Sequence, residues 1–199
     1  MLVPLFGVRE QDTRGGGNVS AHALHALDVG VALRLAESPV ADFRALADDL
    51  ALSVSTAHAS LQRLTVAGLV RKTTAGLGAV NRHALLEFLE HGVRYAFPAV
   101  TGSPARGVPT AHAGPVFAHV MDADDPVVWP DPAGSVVGRV LAPMLPRAGL
   151  LPTRAPGTYA LLTAVDALRL GRSREREIAR TYIRRTLGVQ PVGRAAMSG

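Results

Sequence analysis

Two sets of side chains in this 199-residue chain could do chemistry. The first is suited to recognition: Ser53, Ser55, Thr56, His58, Ala59, Gln62 and Arg63 crowd one short stretch, and Arg71, Lys72, Thr73, Thr74 and Arg82 follow soon after. Gln and Arg present donors and acceptors in pairs that match adenine and guanine edges, small residues permit close approach, and cations and hydroxyls suit phosphate oxygens. Between Ser53 and Ala84 there is no Asp or Glu, so nothing in that stretch repels a polyanion. The second set is His112, His119, Asp122, Asp124 and Asp125, types that suit a metal site or a general acid–base pair. Its H-x6-H-x2-D spacing matches no compact ligand motif, and DADDP reads more simply as a solvated acidic loop. His22, His25, His83 and His91 read as surface or cap residues. With no P-loop, G-x-S-x-G, H-E-x-x-H or dinucleotide fingerprint, the expectation is no catalytic residue, no metal and no cofactor.

The elements that must position the first set follow from apolar spacing. Leu24, Leu27, Val31 and Leu35 make a helical stripe that Ser20 can cap and Pro39 ends. Residues 41–50 repeat Phe43, Leu46, Ala47 and Leu50 on one face, with Asp42 near the positive end. Ser53 can cap a third helix over residues 53–67, stopped by Gly68. In it Ala57, Leu61 and Leu64 face one way, while Ser55, Ala59, Gln62 and Val66 face the other with His58 and Arg63 flanking. That is the arrangement a helix needs to enter a DNA major groove. Two short strands, 69–73 and 79–80, form a hairpin that carries Arg71 and Lys72, and Asn81 can cap a fourth helix that Gly92 ends.

Here the stretch FRALADDLALSVSTAHASLQRLTVAGLVRKT resembles the winged helix-turn-helix of bacterial transcription regulators, and is similar to the MarR and IclR types. The resemblance covers residues 20–82 and implies that residues 54–63 touch bases and phosphates while the hairpin acts as a wing. Many such helices carry an early Arg; this one begins Val54, Ser55, Thr56.

Beyond residue 92 the texture changes, because many of the 14 prolines fall there and forbid long helices. The expectation is short strands at 94–97 and 135–141 among ordered loops, then an amphipathic helix with Leu161, Leu162, Val165 and Leu168, then a last helix from Ser173 to about Leu187. Arg176, Arg180 and Arg184 recur every fourth residue on that last helix, as a solvated face or as a second basic surface. This half is similar to the companion domain of antitoxin-like repressors found beside nucleotidyltransferase-type toxin genes.

Composition bounds the rest. Hydrophobic residues at 48% can build a core, the net charge of +5 is compatible with a polyanion, and the absence of Cys excludes disulfides, thiolate catalysis and Cys-ligated zinc. Lys72 is the sole lysine among 21 basic residues, a bias of genome composition more than of function. No signal-peptide pattern and no apolar run of membrane-spanning length occur, so the chain reads as cytoplasmic with no membrane partner. The expected class is α+β: a flexible arm (1–19), a winged helix-turn-helix domain (20–92), a smaller α+β domain for dimerisation, sensing or a partner (93–190), and a tail (191–199). The expected function is a DNA-binding transcription regulator, a repressor, acting on double-stranded DNA as a homodimer. The alternative is a winged-helix adaptor or antitoxin that neutralises a toxin-like protein partner. The apolar faces of the first helix and of residues 161–168 are the expected dimer surface.

Overall fold

The computed structural model describes residues 23–73, 76–118 and 125–189. Ser20, His22, Thr74, His119, Asp122 and Asp124 lie outside them, as do the expected arm and tail. The chain is mixed α+β. Helix α1 (Ala26–Glu37) starts six residues later than the cap expected at Ser20. The Asp28 carboxylate accepts the His25 backbone N–H at 2.8 Å, which fixes the start. Helix α2 (Phe43–Asp49) is capped by Asp42, which accepts from the Ala45 N–H at 2.8 Å. Ala51, with φ +52°, makes the tight turn into helix α3 (Val54–Val66). Ser53 caps α3 through the Thr56 N–H at 3.0 Å, and Gly68 takes φ +74° just beyond its end. Strands β1 (Val70–Arg71) and β2 (Ala79–Val80) pair antiparallel, Val70 opposite Val80 and Arg71 opposite Ala79.

Asn81 caps helix α4 (Arg82–Glu87), but Gly92 does not end the helical run. The chain passes through a π-helical turn, Phe88–Gly92, into α5 (Val93–Ala96), so the strand expected at 94–97 is helical up to Ala96. Gly92 serves packing rather than termination: a Cβ there would strike the Phe88 ring. The domain boundary expected at residue 92 therefore falls inside a continuous helical stretch.

A small three-stranded barrel follows. Strand β3 (Thr101–Thr110) pairs antiparallel with both β4 (Val127–Pro130) and β5 (Val136–Leu141), and β4 and β5 close the barrel in parallel. Proline content argued for loops over 101–110, yet Pro104 and Pro109 sit inside β3. The reason is that β3 meets β5 along its first part and β4 along its last, so most of its residues pair on one side only, as at a sheet edge. Gly107 is where all three strands meet, and a side chain there would collide with the Trp129 carbonyl. Thr101 lies opposite Leu141, and the Ala142 N–H donates to the Val100 carbonyl at 3.0 Å, so the barrel's entry and exit are joined at a neck.

Short helix α6 (Leu151–Arg154) leads into α7 (Pro156–Leu170) and α8 (Ser173–Leu187). Helix α7 is the centre of the molecule. Leu161, Leu162, Val165 and Leu168 are buried within this chain, where α7 packs on α1, α5, α8 and the barrel; of the first helix's expected stripe Val31 is buried, and Leu24, Leu27 and Leu35 are half-buried against the same core. The apolar faces expected to join two copies are thus covered by one another, because the two halves share one core. Cross-ties reinforce this: Thr158 donates to Glu37 at 2.6 Å and Arg154 to the Asp48 carbonyl at 2.6 Å. Among the described residues no helix is long and apolar enough to cross a membrane.

Candidate nucleic-acid interface

Helix α3 divides the predicted site residues between its two sides. Ala57 and Leu64 are buried as their spacing requires, and Ser55, Gln62 and Val66 are exposed with Ala59 half-buried beside them. Ser53 and Thr56 serve the cap: the Ser53 Oγ lies 2.7 Å from Thr56 Oγ1 and 2.9 Å from Ser55 Oγ, tying three hydroxyls into the first turn. His58 is exposed but not loose. Its ring stacks on Phe43 of α2, with centroids 3.4 Å apart and planes inclined by 21°.

Arg63 corrects the expectation. It lies on the inner side of α3, 9% exposed, donating to both carboxylate oxygens of Asp28 at 2.8 and 2.7 Å. The hydrogen bond to Asp28 raises the guanidinium pKa above its ordinary value. Asp28 is fully buried, so the pair is a clamp between α1 and α3 and leaves no fork for a base or phosphate. Arg82 is also engaged in the fold. It donates to the Leu187 carbonyl at 2.9 Å and the Ala36 carbonyl at 2.6 Å, closing the C-terminal ends of α8 and α1, where cations are favoured. No local signal in the sequence announces either role, since the partners lie far along the chain.

The hairpin keeps its cations outward. Arg71, Lys72 and Thr73 are exposed, and Gly78, with φ +93°, passes so close under the Arg71 carbonyl that a side chain would not fit. A shallow cleft runs between α3 and the hairpin, lined by Phe43, His58, Gln62, Lys72 and Leu77. The set that the fold brings together is therefore exposed Ser55, His58 and Gln62 with half-buried Ala59 on α3, and exposed Arg71, Lys72 and Thr73 beside them.

Of the second set, only His112 and Asp125 lie among the described residues. A ring nitrogen of His112 sits 3.0 Å from the Asp125 backbone carbonyl, and the Asp125 carboxylate pairs with Arg139 at 3.0 Å. Among the described residues, no group of three His, Cys, Asp or Glu could hold a metal ion.

Besides the Asp28 clamp, sequence reasoning missed a second buried polar hub among the described residues. Asp166 of α7 accepts from Thr110 at 2.8 Å, Trp129 Nε1 at 2.7 Å and Arg169 at 2.6 Å. Burial pushes its carboxyl up, while Arg169 and the other two donors pull it back. Beside it, Tyr159 donates to the Pro109 carbonyl at 2.7 Å, and burial pushes its phenol up to about 12. No family model, curated protein or solved structure matches this chain.

Proposed function

We propose that the chain is a DNA-binding transcription regulator, a repressor, whose segment from α1 to β2 works as a winged helix-turn-helix. The observation that carries this is the outer surface of α3 and the hairpin: small and amide side chains at Ser55, Ala59 and Gln62 flanked by exposed Arg71 and Lys72, with no carboxylate between residues 53 and 84. Such a face presents close-approach positions and a bidentate amide to base edges, and point charges to phosphates. Arg63 supports it indirectly, because its clamp on Asp28 fixes how α3 is set against α1. A symmetric operator calls for two copies. Their contact would lie outside the apolar faces of α1 and α7, which the chain itself covers.

The test is binding of genomic DNA fragments at two salt concentrations, followed by footprinting. We expect selection of discrete sites and a steep loss of affinity with salt. Replacing Arg71 and Lys72 with Gln should weaken binding to every sequence and lower the salt slope by about 2. An unchanged slope would remove the hairpin from the contact surface, and absence of any DNA binding at low salt would end the proposal.

A further inference from the structure

The π-helical turn, α5 and the last helix meet around a cleft. Glu90, Arg94, Tyr95, Arg176 and Arg180 line a solvent-open cleft there. The cleft's carboxylate, Glu90, is already paired: its side chain is 6% exposed, accepts from Arg184 Nη2 at 2.8 Å, and its other oxygen lies 2.7 Å from Arg184 Nε. The remaining cations are held more weakly. Arg180 meets Glu177, itself 64% exposed, at 3.3 Å along the helix surface, a type of pair that contributes little. Arg176 reaches the Gly171 carbonyl at 3.1 Å, and Arg94 rests 5.2 Å from the centroid of the Tyr95 ring. A guanidinium has five donors, so most of the donor capacity of these three is left for something else. Arg176 and Arg180 are half-buried, where like charges repel with less screening than in open water.

The backbone supports the same reading. The Phe88–Gly92 turn is π-helical, and the wider turn swings the following residues, Arg94 and Tyr95, to a different angle from the one an uninterrupted α-helix would give them. Turns of this kind recur at functional sites. Here it lies in the wall of the cleft that α8 faces, with Tyr95 73% exposed.

We propose that this cleft binds a small phosphate-bearing anion, a nucleoside monophosphate, with the phosphate among Arg94, Arg176 and Arg180 and its base against the exposed ring of Tyr95. Three cations around one hollow favour a dianion over a single carboxylate, and planar forks match phosphate oxygens in pairs. The exposed aromatic face selects a ligand that carries a ring. The site is independent of the DNA reading, because none of its residues belongs to α3 or the hairpin.

Isothermal titration of the full chain with inorganic phosphate and with adenosine monophosphate, at constant ionic strength against chloride, tests it. We expect saturable binding of both, with the nucleotide tighter by about tenfold, the order of one stacked ring. Arg176→Gln with Arg180→Gln should weaken both ligands by at least about tenfold, the scale of a lost charge-assisted hydrogen bond. Arg94→Gln, at an exposed position, should do the same in part and guards against a folding defect in the double variant. Tyr95→Ala should erase the difference between nucleotide and phosphate. Absence of saturable binding, or affinities unchanged in the Arg variants, would overturn the site. Equal affinities for the two ligands would overturn the nucleotide assignment. A loss of duplex DNA affinity greater than about threefold in the folded double variant, with a smaller salt slope, would assign the cleft to the DNA surface instead.

Discussion

The outer face of α3 and the junction between the barrel and α7 both gather polar side chains, and the two regions use them in opposite ways. At the junction every group is committed. Asp166, 1% exposed, holds Thr110, Trp129 and Arg169, and Arg169 donates onward to the Phe97 and Pro98 carbonyls at 2.8 and 3.1 Å. On α3 the committed polar groups, Ser53, Thr56 and Arg63, serve the cap and the clamp, and Gln62 stays exposed among small neighbours. The difference teaches how to sort polar residues in this molecule. Those whose hydrogen bonds close inside hold the fold, and those left open at a surface of one sign are what a partner can meet.

The contrast is sharpest in what should fail. Asp166→Ala leaves an arginine, an indole and a hydroxyl facing a buried gap, so we expect a loss of about 4–5 kcal/mol in urea unfolding. A loss under about 1 kcal/mol would put the junction on the same footing as an open surface. Arg63→Ala strands the Asp28 carboxylate with only the His25 N–H, and should cost about 3 kcal/mol by the same measurement. If stability held and only DNA affinity fell, Arg63 would belong to the outer face after all. Gln62→Ala should do the reverse: stability within about 0.5 kcal/mol of the parent, but specific DNA binding weaker by about 1–3 kcal/mol, and random-sequence binding nearly unchanged. Equal loss on both DNAs would show that Gln62 reads no base. The smallest effect concerns Tyr159. An unfolded chain releases a tyrosine proton near pH 10, while Tyr159 keeps its own to about 12. Stability should therefore fall as pH climbs through that window, and the phenolate absorbance that Tyr159→Phe removes from the folded protein should be the part that develops toward pH 12. A removed part that develops near pH 10 would contradict the burial.

Local chemistry made the first half legible. Ser53, Asn81 and Gly68 mark the ends of helices by rules that act within four residues, and the hairpin strands follow from the same short-range signals. The outer face of α3 could be read the same way, since Ser55, Gln62 and Val66 are exposed as their spacing requires. What stayed hidden was set by distant partners. Arg63 turns inward because α1 supplies a buried carboxylate 35 residues away. The apolar stripe of α7 looked like an interface between copies because the sequence does not say that α1 covers it. Pro104 and Pro109 argued against a strand, and only the split pairing of β3 explains why they are tolerated. Gly92 carried a stop signal, but Phe88 needs the space above it and the helix widens instead of ending.

The neck of the barrel has a consequence for how the chain can vary. Val100 and Ala142 are a single hydrogen bond apart, so the helices on either side experience the segment between them as one short connection, whatever its length. Holding those ends together costs only slowly more as the excursion lengthens, about 0.6 kcal/mol for each doubling. An excursion tied in this way behaves like a graft: it can be lengthened or recut without moving α5 relative to α6. Its roots include the grip of Asp166 on Thr110 and Trp129 and the bond from Tyr159 to the Pro109 carbonyl, and a replacement would take only if it brought donors back to that carboxylate and an acceptor to that phenol.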